Sequence, residues 1–321
     1  IASCLVGSEM CIRDSHIVVL STGGTIASTH DSKGAVVPTV SGEELVKPVY
    51  DAFPKGTLHL EVQKIAQLDS SAMTLDDTDH IIQAVLRALG RAEVSGVIVT
   101  HGTDSMEETA IALDTFVSGN KPVVLTGAMR PHDDPHPDGP SNLTLAVRTA
   151  TDAHNRGKGV FVAFGGKVFH ARGLHKADTQ KEDGFATNCP HGVKRPAPLP
   201  FKPLRDVRVD IIAAYPGAPA TLIDSSIDNG AQGLVIEGMG DGNIGSTFAD
   251  AAVRAATRHH VPVVLTTRVD AGQVAGVYGG AGGGATLAEK GIISSGPLRA
   301  GQSRILVAAA LATGTDPRKL F

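Results

Sequence analysis

The sequence predicts an α/β protein of two domains: a larger N-terminal doubly wound, mostly parallel sheet and a smaller C-terminal α/β domain. Three observations lead there. Short apolar runs empty repeatedly into Gly-, Thr- or Asp-bearing turns that open helices, the strand–loop–helix repeat of a parallel sheet covered on both faces. With 321 residues, 42% of them hydrophobic and 37 of them glycine, the chain is long enough for two domains with large buried cores. Pro190, Pro196, Pro198, Pro200 and Pro203 crowd a stretch without periodicity, which reads as a semi-rigid linker. The expected domains are 16–189 and 207–321, joined by a linker over 190–206.

Residues 1–15 look foreign to this pattern. They lack an initiating Met, hold Cys4 and Cys11, and scatter Glu9, Arg13 and Asp14 where a signal peptide keeps a clean apolar region. They are read as a foreign or disordered segment and set aside. Cys189 is then the one cysteine left in the fold, so no disulfide framework is expected.

The first strand covers 17–20 and runs into Thr22-Gly23-Gly24-Thr25-Ile26-Ala27, a sharp turn that brings hydroxyls and a glycine pair to one spot. The polar stretch 28–37 reads as a flap over that turn. Ser41 and Glu44 form a capping box for the first helix. A strand over 58–65 leads to Asp69-Ser70-Ser71, and Thr74 opens a helix with an apolar stripe through Ile81, Ile82, Val85 and Leu89. The apolar run 96–100 empties into His101-Gly102-Thr103-Asp104-Ser105-Met106-Glu107-Glu108, where Asp104–Glu107 and Ser105–Glu108 both have capping-box spacing.

The pattern repeats at 122–126, which ends in Gly127-Ala128-Met129-Arg130-Pro131, and Asp138-Gly139-Pro140 opens another helix. A strand over 160–164 precedes Lys167, Arg172 and Lys176. In the C-terminal block, strands are expected at 209–214, 233–237 and 262–266, with a last helix starting near Ser303. The glycine run 279–284 is followed by no lysine-bearing phosphate loop and reads as a flexible connection.

Composition excludes several partners. Twenty-nine basic against 33 acidic residues give a formal charge of −4 and no basic stripe, so nucleic acid is not expected. No apolar stretch is long enough to span a bilayer, so a soluble globular protein with no membrane partner is expected. His132, Asp133, Asp134 and His136 lack a further ligand at usable spacing and read as a solvated loop, so no metal is expected there.

Parallel sheets bind ligands beyond the carboxyl ends of their strands, where Thr22, Thr25, Ser70, Ser71, Thr103, Asp104 and Ala128 all fall. A threonine hydroxyl needs a base to become a nucleophile; a desolvated lysine oriented by a carboxylate supplies one. Thr103, Lys176 and Asp104 make such a hydroxyl–amine–carboxylate relay, with Thr25 as a second hydroxyl beside oxyanion-stabilising N–H groups. The implied chemistry is hydrolysis of an amide or ester.

Residues 22–27 and 101–109 together resemble the paired signatures of bacterial L-asparaginases. Gly127-Ala128-Met129-Arg130-Pro131, Asp138-Gly139-Pro140 and His175-Lys176 follow in the family's order. The resemblance implies a two-domain α/β homotetramer that hydrolyses L-asparagine to L-aspartate and ammonia without a cofactor, with some glutaminase activity. By position Thr25 would be the primary nucleophile, and Thr103, Asp104 and Lys176 the second catalytic group. Gly24 lies in the site turn. Ser70, Ser71 and Asp104 would hold the α-carboxylate and α-amino groups, the Ala128 carbonyl would face the amide, and Asn243 would reach the neighbouring subunit's site.

Three departures accompany it. Family members often carry a flap tyrosine, and 28–40 has none, its slot falling near Ala35. Many carry a partner-subunit glutamate, and 272–284 has no acidic residue. Ser71 stands where some relatives have glutamine. These departures motivate an alternative, a non-catalytic amino-acid-binding protein on the same scaffold. The amidotransferase subunit that releases ammonia for glutamyl-tRNA shares the motifs but is disfavoured by the lack of a basic surface. The cytoplasm is the expected location.

Overall fold

The first strand carries a continuous apolar run, 17–20, because its centre is buried from both faces. In the computed structural model, which describes residues 15–189 and 194–321, β1 (Ser15–Gly23) begins at Ser15, and Ile17, Val18, Val19 and Leu20 are at most 1% exposed. Residues 1–14, and 190–193 of the expected linker, lie outside the described residues. The described chain divides into two compact units, 15–171 with Lys176–Phe185, and Arg172–His175 with Ala186–Phe321.

In the first unit, the stretch read as a flap folds into a hairpin of β2 (Ser28–His30) and β3 (Val36–Pro38). Its turn is held by Asp31 Oδ1, which accepts the N–H groups of Lys33 and Ala35. Helix α1 (Gly42–Tyr50) has the expected Ser41–Glu44 capping box. Strand β4 (Leu58–Leu68) runs three residues past the expected end and delivers Asp69 and Ser70 to the sheet edge. There follow α2 (Leu75–Leu89), capped by Thr74 and Asp77, then β5 (Gly96–Thr100) and α3 (Met106–Phe116).

Next come β6 (Val123–Thr126), α4 (Gly139–Thr151), β7 (Val160–Phe164), β8 (Lys167–His170), β9 (Leu174–Lys176) and β10 (Phe185–Thr187). Among the described residues the main sheet has the order β4-β1-β5-β6-β7-β8, and only the β7–β8 pair is antiparallel. One face packs Ile17, Val19, Ile98 and Val124 against Leu45, Val49, Leu143 and Val147 of α1 and α4. Each such aliphatic side chain contributes about 1.5–3 kcal/mol by leaving water, which fixes which edge of each strand meets the loops.

In the second unit, β11 (Val209–Ala213), α5 (Thr221–Asp228), β12 (Gly233–Gly238), α6 (Ser246–Arg258), β13 (Val263–Thr267), α7 (Gly284–Glu289) and β14 (Ile293–Ser294) follow in chain order. They form a parallel sheet β11-β12-β13-β14 around Leu234, Ile236, Phe248 and Leu265. The last helix, α8 (Ala300–Thr313), starts three residues before the expected Ser303. Gln302 and Ser303 hide that start in the sequence because both are polar yet fully buried, and Gln302 Oε1 accepts the Gly173 N–H at 2.9 Å. Among the described residues no helix is long and apolar enough to cross a membrane.

Candidate active site

The ends of β1, β4 and β5 meet because two glycines let their backbones touch. Gly23 (φ 106°) and Gly24 (φ 81°) lie in the left-handed region. A Cβ on Gly23 would fall 2.8 Å from the backbone of Leu68, and one on Gly24 2.6 Å from the Gly102 nitrogen. Thr22 Oγ1 donates to the Thr100 carbonyl at 2.7 Å and locks the neighbouring strand ends together. Thr25 starts a single 3-10 turn, Thr25–Ala27, and the Ser28 hydroxyl donates back to the Gly24 carbonyl at 2.9 Å. The Thr25 N–H, first in that turn, has no acceptor within it.

At the end of β4, Asp69 accepts the Ser71 N–H, and the Ser70 hydroxyl oxygen accepts the Asp104 N–H at 3.2 Å. Having accepted, Ser70 keeps its own O–H proton to donate. The expected Ser105 cap is not made: Ser105 precedes α3, but its hydroxyl donates to the Ser70 carbonyl at 2.7 Å instead of pairing with a helix N–H. That bond joins two loops, which a cap within one helix would not do.

Beneath them His101 is fully buried, and burial pushes its pKa down to about 4, so the ring is neutral at pH 7. A carbonyl oxygen only accepts, so Nδ1–H donates to Gly102 O (2.7 Å) and Nε2 accepts the Thr109 hydroxyl (2.9 Å). The tautomer is thereby fixed and the Gly102–Thr103 turn with it.

Lys176, the last residue of β9, donates through Nζ to Thr103 Oγ1 at 3.0 Å and to Asp104 Oδ1 at 2.6 Å. Thr103 is 8% exposed, whereas the Asp104 side chain is 54% exposed and open to a ligand. On the opposite side, buried Asp138 accepts the N–H groups of Met129 and Arg130, both at 2.9 Å, and Asn142 Nδ2 at 3.2 Å. Asn142 also donates to the Gly127 carbonyl and accepts the Gly165 N–H. This clamp fixes the peptide planes on both sides of Ala128. Asp138→Ala leaves those donors without their acceptor, and an unfolding free energy lower by about 3 kcal/mol is expected in urea denaturation with an unchanged m-value.

Gly24, Thr25, Ser70, Thr103, Asp104 and Lys176 share one cavity of about 340 Å³, with Ala128 also in its wall. Sequence reasoning singles out all of these. Ser71 is exposed and is not part of that lining. Asn243 lies in the C-terminal unit, where its backbone pairs with Met239, and its buried Oδ1 has no hydrogen-bond partner among the described residues. Val36, Met129 and Thr179 also line the cavity, and sequence reasoning misses them. Val36, beside the empty tyrosine slot, is recognisable only once the hairpin register is known.

Asp133 does not gather its histidine neighbours. It accepts the His30 N–H at 2.9 Å and lies within 3.1 Å of His30 Nδ1, pinning the hairpin. Asp134 takes the His136 N–H. Among the described residues no group of three or more His, Cys, Asp or Glu is arranged to hold a metal ion. Burial pushes the Cys189 thiol pKa up, away from a nucleophilic thiolate.

The family model for the asparaginase N-terminal domain matches residues 16–195, and that for the glutaminase/asparaginase C-terminal domain matches 208–320. A probable L-asparaginase of Deinococcus radiodurans is 35% identical, with 95% of this chain and 96% of that protein covered. L-asparaginase 2 of Escherichia coli is 30% identical over 95% of this chain and 91% of its own. The crystal structure of a probable cytoplasmic L-asparaginase from Campylobacter jejuni superimposes with a TM-score of 0.78 at 28% identity, covering 95% of this chain and 98% of the other. With both domain models matched in order, and the N-terminal one spanning every strand end that builds the cavity, the chain belongs to the asparaginase family.

Proposed function

We propose that this chain is an L-asparaginase, an amidohydrolase that converts L-asparagine and water to L-aspartate and ammonia. The observation that carries the reading is the Thr103–Lys176–Asp104 relay, held at 3.0 and 2.6 Å in the same cavity as Thr25. A protein that only binds an amino acid has no use for a lysine aimed at a threonine hydroxyl.

The substrate's α-carboxylate takes the O–H of Ser70, with Ser71 beside it, and its α-ammonium pairs with the exposed Asp104 carboxylate. The Ala128 carbonyl receives the side-chain NH₂, which sets the amide carbon against Thr25. The Thr25 hydroxyl adds to that carbon, and the Thr25 N–H stabilises the oxyanion. The C–N bond breaks, and ammonia leaves carrying a proton. Water then adds to the threonyl ester, the C–O bond breaks, and L-aspartate departs with the hydroxyl restored. In its neutral form Lys176 takes the Thr103 proton while one of its N–H bonds stays on Asp104, so Thr103 can shuttle protons between the amine and the reacting groups. No step calls for a metal or an organic cofactor.

We also propose a homotetramer working in the cytoplasm, with Asn243 of one copy reaching the site of its neighbour. The Campylobacter relative is described as cytoplasmic.

The test is ammonia release from L-asparagine and from L-glutamine, measured beside aspartate binding. Release from asparagine exceeding that from glutamine is the expected result. Bound aspartate with no release from either amide would sink the reading and leave the binding protein standing.

A further inference from the structure

We propose that Glu107 is a positioning residue for the Lys176 amine; the inference rests on the asparaginase reading of the same cavity. Glu107 lies in the first turn of α3, immediately after the Thr103–Asp104 turn. Its Oε2 accepts the main-chain N–H of Lys176 at 2.8 Å, a bond that spans 69 residues of sequence. Lys176 is thus held at both ends by one short segment: Glu107 takes the backbone, while Thr103 and Asp104 take Nζ.

The need for such a hold is physical. A lysine head is a point charge on a flexible four-carbon stem, and its side chain carries about 2 kcal/mol of rotamer entropy. Fixing Nζ against a hydroxyl requires that the Cα be fixed too. The strand that ends in Lys176 is only three residues long. Beyond it the chain closes on itself: the N–H groups of Ala177 and Asp178 both donate to the Gly184 carbonyl, and Asp178 takes those of Gln180 and Lys181. Farther along, Glu182 pairs with Arg130 and Asp183 with Lys167, and Glu107 ties the start of this loop, at Lys176 itself, to the helix that follows the Thr103–Asp104 turn.

The spacing of Asp104 and Glu107 suggests an ordinary capping box, with the glutamate bound to the backbone of Asp104. The helix begins one residue later, after Ser105, and the carboxylate reaches across to β9 instead.

Two variants separate reach from charge. Glu107→Gln keeps an oxygen at the same distance and loses the charge. Glu107→Asp keeps the charge near the helix N-terminus and withdraws the oxygen by one methylene. Glu107→Asp is expected to lower kcat for asparagine about 10-fold with KM within about twofold, since misplacement of a reacting group by about 1 Å is that costly or more. Glu107→Gln is expected to retain most of kcat.

Amide hydrogen exchange at Lys176 is read in parallel and does not depend on turnover: faster in Glu107→Asp, near wild type in Glu107→Gln. Unchanged exchange at Lys176 in Glu107→Asp, or equal kcat losses in both variants, would overturn the inference. A wild-type protein without turnover would instead overturn the asparaginase reading while the exchange arm still reports on Glu107.

Discussion

Replacing Lys176 by Met is expected to lower kcat for asparagine by about 10³-fold and to leave aspartate binding and folding stability nearly unchanged. The rate loss follows from the geometry, because Nζ is the group that the structure places on both Thr103 and Asp104. A positioned acid–base group contributes about 10²–10⁴ in rate. The small effect on stability follows from exposure. The Asp104 side chain is 54% exposed, and an ion pair so open to water contributes about 1 kcal/mol or less. Methionine also keeps the length and apolar stem of lysine.

Thr103→Val should reproduce the loss, and the double variant should be little worse than either single one, since members of one relay fail as a unit. Steady-state ammonia release, urea denaturation and aspartate titration together check this. A kcat for Lys176→Met within about tenfold of wild type would remove Lys176 from the chemistry. A fall in urea midpoint matching the loss of rate would show that the pair acts by holding the fold.

What is legible ahead of the structure divides along a physical line. Strand ends announce themselves because buried parallel strands are continuous apolar runs and the turns after them need glycine, so Gly23, Gly24, Gly102 and Gly127 mark the sheet edge. The hydroxyl–amine–carboxylate set is visible as residue types, although Lys176 and Thr103 are 73 residues apart, and Lys176 ends β9 of a separate two-stranded sheet rather than a strand of the parallel sheet, a placement its sequence does not announce.

Supporting contacts are not visible in this way. Asp138 and Glu107 act on main-chain N–H groups, and a backbone donor leaves no trace in the sequence of its own residue. Ser105 misleads for the same reason: its spacing satisfies a cap, while its hydroxyl is drawn to a carbonyl 35 residues away. The extra length of β4, 66–68, is hidden because the strand lies at the sheet edge, where partial exposure admits the polar Gln67.

Gly24→Ala is expected to cost about 4 kcal/mol of stability and most of the activity. Two separate penalties combine. Gly24 sits at φ 81°, ψ 177°, a conformation nearly exclusive to glycine, and forcing a side chain into it costs about 1–3 kcal/mol. The added Cβ also meets Gly102 N at 2.6 Å and Gly102 Cα at 2.7 Å. These are backbone atoms that cannot swing away, and overpacking of this kind costs about 1–3 kcal/mol more.

Gly34→Ala supplies the control. Gly34 also has a positive φ, 80°, but a Cβ there meets nothing within 4 Å, so the contact penalty is absent. Urea denaturation of the pair therefore compares a positive-φ glycine in contact with one in open space. Equal losses would mean that the approach of the two turns is unimportant. The expected excess at Gly24 measures how closely the Gly24 turn is pressed against the Gly102 backbone. The alanine can be accommodated only by moving one turn from the other, so the surviving folded molecules should bind aspartate weakly and turn over slowly, because Thr25 is displaced from the Thr103–Asp104 side of the cavity.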